Sequence, residues 1–320
     1  VSSEAAFIAA LRAIATSPAA RGLADDVAVL NLGGSRLVVT MDAIVEGVHY
    51  LPQDPPETVA WKLVATNVSD LSAKGAEPRG CLLTYPLAED GQWNAAFLRG
   101  LEEACSTFAI PLLGGDTVRQ PAGSARSFAL VALGEPVAGV AVPSRGGAQV
   151  GDMLWVSAPI GNAGLGLSVL RGEYQPDRES REALVAAYRC PRPNVALGVA
   201  LAPHVHAMMD VSDGLLIDAQ RLTDASQLGT VLALDRVPLS SAYVATMGDG
   251  MEERLFAASA GDDYCLLFAA PTEAETHLCN AARSCHTLLH PVGRIMGGRG
   301  LAVLFDGEPV ALPTRLGFEH

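Results

Sequence analysis

Carboxylates mark the ends of apolar runs along this chain. Asp26 follows Asp25 just ahead of Val27-Ala-Val-Leu30, Asp42 closes Leu37-Val-Val-Thr-Met41, and Asp116 follows Ile110-Pro-Leu-Leu-Gly-Gly115. Asp210 and Asp213 flank Val211-Ser212 behind Met208-Met209, and Asp70 lies within Trp61–Pro78. Singly, each has an ordinary explanation: a turn at Asp25 and Asp26, a helix N-cap at Ser212 or Asp213, an exposed polar face at Asp70. If they converge, six buried carboxylates repel one another and raise each other's pKa. Lys62 and Lys74 are the only lysines in the chain, too few to balance them, so hard divalent cations are the natural counter-charge. Mg²⁺ usually keeps several waters and takes one or two carboxylates together with phosphate oxygens. Several such ions imply a polyphosphate substrate, most simply ATP, and phosphoryl transfer driven by metal electrostatics and positioning.

The elements that would carry these residues follow from periodicity. Within Trp61–Pro78, Leu63, Val64, Val68 and Leu71 join Ala60 in one stripe of three- and four-residue steps, the pattern of a helix with a buried face. Asn67, Asp70 and Lys74 share a second stripe, Gly75 offers a C-terminal stop and Pro78 forbids continuation. Further helices are expected over 4–15, 93–108, 178–189, 194–201, 215–222 and 273–282. Strands are expected over 37–41, 81–85, 110–113, 127–133, 153–157 and 265–268, and around Val292 and Val303, with a hairpin turn at Gly33-Gly34. Gly114-Gly115 would let backbone approach a ligand and turn Asp116 into a cleft. Gly161-Asn-Ala-Gly-Leu-Gly166, which leads into a helix ending near Arg171, could lie along a nucleotide, although it is not GxGxxG. His49, seven residues beyond Asp42 in a loop, is a ligand candidate. Arg145 in Ser144-Arg-Gly-Gly147 is either a phosphate contact or a linker arginine.

A length of 320 residues suits two domains, and the Pro- and Gly-rich stretch from Glu135 to Gly151 puts the boundary between residues 137 and 138. The formal charge of −13 argues against a basic nucleic-acid-binding face but not against phosphate held through bridging metal. No apolar run is long and clean enough to span a bilayer, and no basic-then-apolar leader opens the sequence, so a cytoplasmic location is expected. Six scattered cysteines form no CxxC pair, which disfavours disulfide frameworks and zinc. A P-loop, the protein-kinase HRD and DFG motifs, HExxH and GxSxG are all missing.

In order, the segments ADDVAVL, VTMDAIVEGVHY, WKLVATNVSDLSAKGAEP, LLGGDT, SRGGAQVGD, MMDVSDGL and AGDDY resemble the thiamine-monophosphate kinase family. Its superfamily also holds aminoimidazole-ribonucleotide synthetase, selenophosphate synthetase and a hydrogenase-maturation protein. The match runs from Ala24 to Tyr264, with a tail at Gly317-Phe318. VEGVHY and GDDY look most like the thiamine-phosphate branch, and the first cysteine, Cys81, comes too late for the reactive residue of a selenophosphate synthetase.

The resemblance implies an α+β fold of two mixed domains. The first, over 1–137, would bind metal and pair its sheet across a homodimer; the second, over 138–320, would be a layered sheet with helices that takes ATP and substrate. It implies ATP-dependent conversion of thiamine monophosphate to thiamine diphosphate by direct in-line γ-phosphoryl transfer. Carried over by position, several Mg²⁺ ions would fall to Asp26, Thr40, Met41, Asp42, Asp70, Asp116, Asp210 and Asp213. ATP would meet Gly115, Asp116, Arg145 and Ser212, and thiamine phosphate would meet His49, Asp262 and Phe318. A phosphate acceptor with a second pKa of about 6 is already largely dianionic at neutral pH, so no general acid or base is assigned. Three residues depart from the family pattern. Met41 replaces Thr and leaves only main chain for a metal, Asp262 replaces Glu and is a methylene shorter, and Ala24 replaces Gly. The alternatives are a related ATP-using synthetase acting on another small molecule and a catalytically silent nucleotide-binding homologue.

Overall fold

Two mixed sheets with a helix lodged between them form this computed structural model, which describes residues 4–88, 90–121 and 123–318. The first sheet holds β1 (Ala28–Leu32), β2 (Ser35–Val45), β3 (Ala76–Leu87), β4 (Leu112–Arg119) and β5 (Ser127–Pro136) in the order β1-β2-β5-β3-β4. Its neighbours are antiparallel except β3 beside β4. Helices α1 (Glu4–Arg12), α2 (Pro56–Ala73) and α3 (Gly91–Thr107) belong to this half. α2 packs on β2, β3 and β5, and α3 lies beside it with Phe97 stacked on Phe128. The opposite face of the sheet leaves Met41, Leu82 and Val118 exposed.

The second sheet holds β6 (Met153–Val156), β7 (Ala207–Asp210), β8 (Gly229–Ala233), β9 (Leu266–Ala270), β10 (His290–Met296), β11 (Gly300–Phe305) and β12 (Glu308–Val310). Their order is β12-β11-β8-β10-β6-β9-β7, and only β11 and β8 run parallel. Around it stand α4 (Asn162–Leu170), α5 (Arg178–Arg189), α6 (Val195–Leu201), α7 (Leu215–Ala225), α8 (Ser241–Met247), α9 (Met251–Ser259) and α10 (Glu275–Ser284). The architecture is α+β with one mixed sheet in each half. Among the described residues no helix is long and apolar enough to cross a membrane, and all six cysteines are free.

Two strands run further than their sequences suggest. β2 does not stop at Asp42, which pairs with Leu130 while the strand continues to Val45. β4 passes straight through Gly114-Gly115-Asp116 because its parallel ladder with β3 extends to Arg119. A neighbouring strand that satisfies the backbone outweighs the poor strand propensity of Gly and Asp.

α2 is buried all round, from Val59 to Ala73. One side meets α3 and the first sheet; the other meets α5, α6, β7 and β9 of the second half. Two glycines permit this closeness. A Cβ at Gly100 would stand 2.1 Å from the Glu57 carbonyl oxygen, and one at Gly198 would stand 2.0 Å from that of Ser72. Asn67, Asp70 and Lys74 are therefore interior groups and not a solvated face. Both lysines of the chain are enclosed, Lys62 at 2% exposure and Lys74 at 0%. A protease that cuts only after lysine should leave the native protein intact and cut it after residues 62 and 74 once urea unfolds it. Cleavage of the native chain at either bond would mean that α2 is not held between the halves.

Candidate functional site

The polar residues of α2 and the lysine that follows it reach β2, β7 and the turn before β1. Ser69 donates to the Asp210 carboxylate at the end of β7 at 2.6 Å. The Thr40 hydroxyl of β2 lies against the Asp70 carboxylate, and the Asn67 side-chain oxygen accepts the Asp42 N–H at 3.0 Å. Lys74, which follows the helix, sits 2.6 Å from Asp25 and 3.2 Å from Asp26 and donates to the Met208 carbonyl at 3.1 Å. Carboxylate oxygens of Asp26, Asp70 and Asp210 consequently lie within 4.8 Å of one another. That spread is close to the roughly 4 Å between oxygens on opposite sides of one Mg²⁺. Arg145, from the segment joining the two sheets, also contacts Asp26.

Charge repulsion is built into this arrangement. Burial pushes Asp42 up to about 6, and Asp210 and Asp213 add to the rise. Burial lifts Asp70 well above the usual carboxylate range, helped by Asp42 and Asp210, against the pull of Thr40 and Lys74. Asp210 is raised by burial despite Ser69, Lys74 and Arg145. Burial lowers the Arg145 guanidinium. An all-oxygen, anion-rich donor set with incomplete counter-charge fits a hard divalent cation.

The turn carrying Asp213 is shaped by a residue that the sequence did not point to. Asp218, on the first turn of α7, accepts N–H groups from Ser212, Asp213 and Gly214 at 3.1, 3.0 and 3.2 Å. Burial, then Asp213, pushes Asp218 up to about 7. Arg221, one turn on, bonds Asp218 at 3.0 Å and also grips Asp213. The available signal was an Asp in the first turn of a helix that begins at a glycine. Phe318 comes back to this turn and donates its N–H to the Asp213 carbonyl at 2.9 Å.

A second group lies next to the first. The Asp262 N–H donates to the Ser212 carbonyl at 2.7 Å, and the Tyr264 hydroxyl donates to Asp262 at 3.0 Å. Burial, then Asp262, Asp42 and Asp210, lift the Tyr264 hydroxyl. The His49 ring accepts the Val45 N–H at Nδ1 at 3.0 Å. Asp262 and Tyr264 have φ of 70° and 48°, left-handed values that cost non-glycine residues about 1–3 kcal/mol each and persist where surrounding contacts over-determine them.

Three sequence candidates stand apart. Met41 is 63% exposed and points away from Thr40, because adjacent strand residues face opposite sides. Asp116 is in register with exposed Thr84, between buried Leu83 and Tyr85 on β3, so it shares the open face and stays outside the carboxylate cluster of a single copy. Gly115 is pressed against β3, where a Cβ would stand 1.9 Å from the Leu83 carbonyl oxygen. The Gly161 segment is also explained by packing: its N–H is held by both Asp263 oxygens at 3.0 and 2.8 Å, and Gly166 fits against the Leu184 carbonyl of α5.

Residues 24–135 match the N-terminal domain, and residues 149–306 the C-terminal domain, of AIR synthase related proteins. The thiamine-monophosphate kinase of Caulobacter vibrioides is 38% identical over 312 residues, covering 95% of this chain and 86% of that one. The solved structure of the thiamine-monophosphate kinase from Stenotrophomonas maltophilia K279a is 33% identical, with a TM-score of 0.77 over 95% of this chain and 96% of that one. AaThiL complexed with AMPPCP and TMP superposes with a TM-score of 0.85 at 26% identity, covering 99% of this chain and 97% of that one.

Removing one of the crowded charges should stabilise the metal-free protein. A carboxyl whose folded pKa is raised keeps a proton that the unfolded chain releases, so its presence costs stability as pH climbs from about 4 through the folded value. For Asp42 that window is pH 4 to about 6. In chelator at pH 7.5, Asp70→Asn should move the urea midpoint of unfolding upward, because it removes a carboxyl whose folded pKa is raised. An unchanged or lower midpoint would contradict this electrostatic picture.

Proposed function

We propose that this chain, which belongs to the thiamine-monophosphate kinase family of AIR synthase related proteins, transfers the γ-phosphoryl group of ATP directly to thiamine monophosphate, giving thiamine diphosphate and ADP. The observation that carries this reading is the meeting of Asp26 and Asp210, from two distant segments, with Asp70 of α2. The relative AaThiL, solved with AMPPCP and TMP, supports the pair of substrates.

Asp26, Asp70 and Asp210, with Asp42 and Asp213 beside them, would hold Mg²⁺, which when bound neutralises phosphate charge and aligns the reacting oxygens in line. The protein's own groups prepare that site. Thr40 and Asn67 fix Asp70 and the Asp42 backbone, while Ser69 and Lys74 fix Asp210 and Asp26. Arg145 reaches into the cluster from between the sheets and is assigned to the nucleotide phosphates, as is the Ser212 turn that Asp218 braces. His49, Asp262 and Phe318 are assigned to the acceptor. Its phosphate is mostly dianionic at neutral pH, so no side chain has to remove a proton. We propose the domain boundary between residues 137 and 138, in the segment between β5 and β6.

Met41 contributes no side chain here, and Asp116, expected at both metal and ATP, and Gly115, expected at ATP, are left out of the single-copy site. The face of the first sheet that carries Met41 and Asp116, with Leu82 and Val118, is where we place pairing with a second copy, since an open apolar face of this kind marks an association surface. The protein should sediment as a dimer, and Leu82→Arg combined with Val118→Arg should yield a folded monomer. A monomeric wild type would end the pairing proposal.

ADP release measured with Mg²⁺ and either thiamine monophosphate, thiamine or aminoimidazole-type acceptors tests the reaction. Thiamine monophosphate alone should stimulate release, and Asp210→Asn should lower kcat by about 10²–10³, the scale for losing one electrostatic contact to the transition state. Release driven by another acceptor would favour the related-synthetase alternative.

A further inference from the structure

We propose that Lys62 is a positioning residue for the acceptor half of the site, a role that rests on the thiamine-phosphate reading for the acceptor's identity. Its ammonium donates to Asp262 Oδ2 at 2.8 Å and to the His49 carbonyl at 2.9 Å, and lies 4.0 Å from the centre of the Tyr188 ring. One cation thus fastens three pieces to α2: the turn bearing His49, the loop bearing Asp262, and α5. An ammonium has three N–H donors. Two go to oxygens and the third side of the group meets an aromatic face, so Lys62 has no donor left for a substrate phosphate and acts through its neighbours.

The loop from Gly261 to Tyr264 has a particular need for such a tie. Two of its residues, Asp262 and Tyr264, hold left-handed backbone. Their N–H groups are pinned to the carbonyls of Ser212 and Val211 at 2.7 and 2.8 Å. Those bonds fix the backbone, and Lys62 with the Tyr264 hydroxyl fixes the Asp262 carboxylate, one on each oxygen. The His49 turn is tied in parallel, because the Tyr188 hydroxyl donates to the same His49 carbonyl at 3.4 Å and Arg189 of α5 bonds Asp54 at 2.7 Å. Twelve residues separate Lys62 from Lys74, about 18 Å of helix rise. The two lysines therefore serve opposite ends of the site, Lys74 the carboxylates and Lys62 the acceptor loops. Arginine is not an equivalent, since its planar fork cannot point donors in the three directions used here.

Steady-state kinetics and amide hydrogen exchange on wild type, Lys62→Met, Lys62→Arg and the Lys62→Met/Asp262→Asn double variant test this. The double variant covers misfolding of the single one, because it leaves no unpaired carboxylate behind. KM for thiamine monophosphate should rise about tenfold or more in all three variants while KM for ATP stays within about twofold. Exchange should quicken over residues 46–50 and 261–264 and stay unchanged over 24–30. Parallel loss of both KM values, or unchanged exchange in the two loops, would overturn the assignment. Wild type that ignores thiamine monophosphate would instead defeat the functional reading, and faster loop exchange in the variants would still support the strut.

Discussion

Like charges confined with too few counter-charges are the constraint on which the rest of this structure depends. Asp25, Asp26, Asp42, Asp70, Asp210, Asp213 and Asp218 gather around Arg21, Lys74, Arg145 and Arg221, and the surplus is negative. A buried cluster of that kind works against folding, so something else must hold it together. α2 does so by burying apolar residues against both halves at once, with Leu63, Val64, Val68 and Leu71 in the first core and Ala73 in a core shared with the second sheet. The helix is rigid enough that Ser69, Asp70 and Lys74 keep fixed spacings while each engages a different segment. Stability is given up locally in return for a site whose charge is ready before any ligand arrives.

The same helix separates the tasks. Its C-terminal end gathers the carboxylates that would face nucleotide and metal, and its N-terminal end holds the loops of His49 and Asp262. Tyr264 donates its hydroxyl to Asp262 at the second of these ends.

Much of this was legible in the chain. The apolar stripe of α2, its stop near Gly75, the Gly33-Gly34 hairpin and the helix over 178–189 all follow from local patterns that the fold keeps. The burial of the polar stripe was not, because periodicity reports one packed face and α2 has a second neighbour drawn from residues more than a hundred positions away. Strand parity is a finer failure: Thr40, Met41 and Asp42 are consecutive, so the middle one must face away, and Asp116 is set by its register on β3. The roles of Asp218 and Lys62 were not legible because their partners are backbone groups of a turn and a carboxylate 200 residues distant, and Arg221 depends on the same turn through Asp213 and Asp218. The short elements β8, α8, α9 and β12 carry too little pattern to announce themselves.

Anomalous diffraction from crystals equilibrated with Mn²⁺ and a non-hydrolysable ATP analogue tests the central claim most directly. The account predicts a manganese peak within coordination distance, about 2.0–2.2 Å, of carboxylate oxygens from at least two of Asp26, Asp70 and Asp210. A fully occupied nucleotide site whose only manganese lies away from all three carboxylates would contradict it.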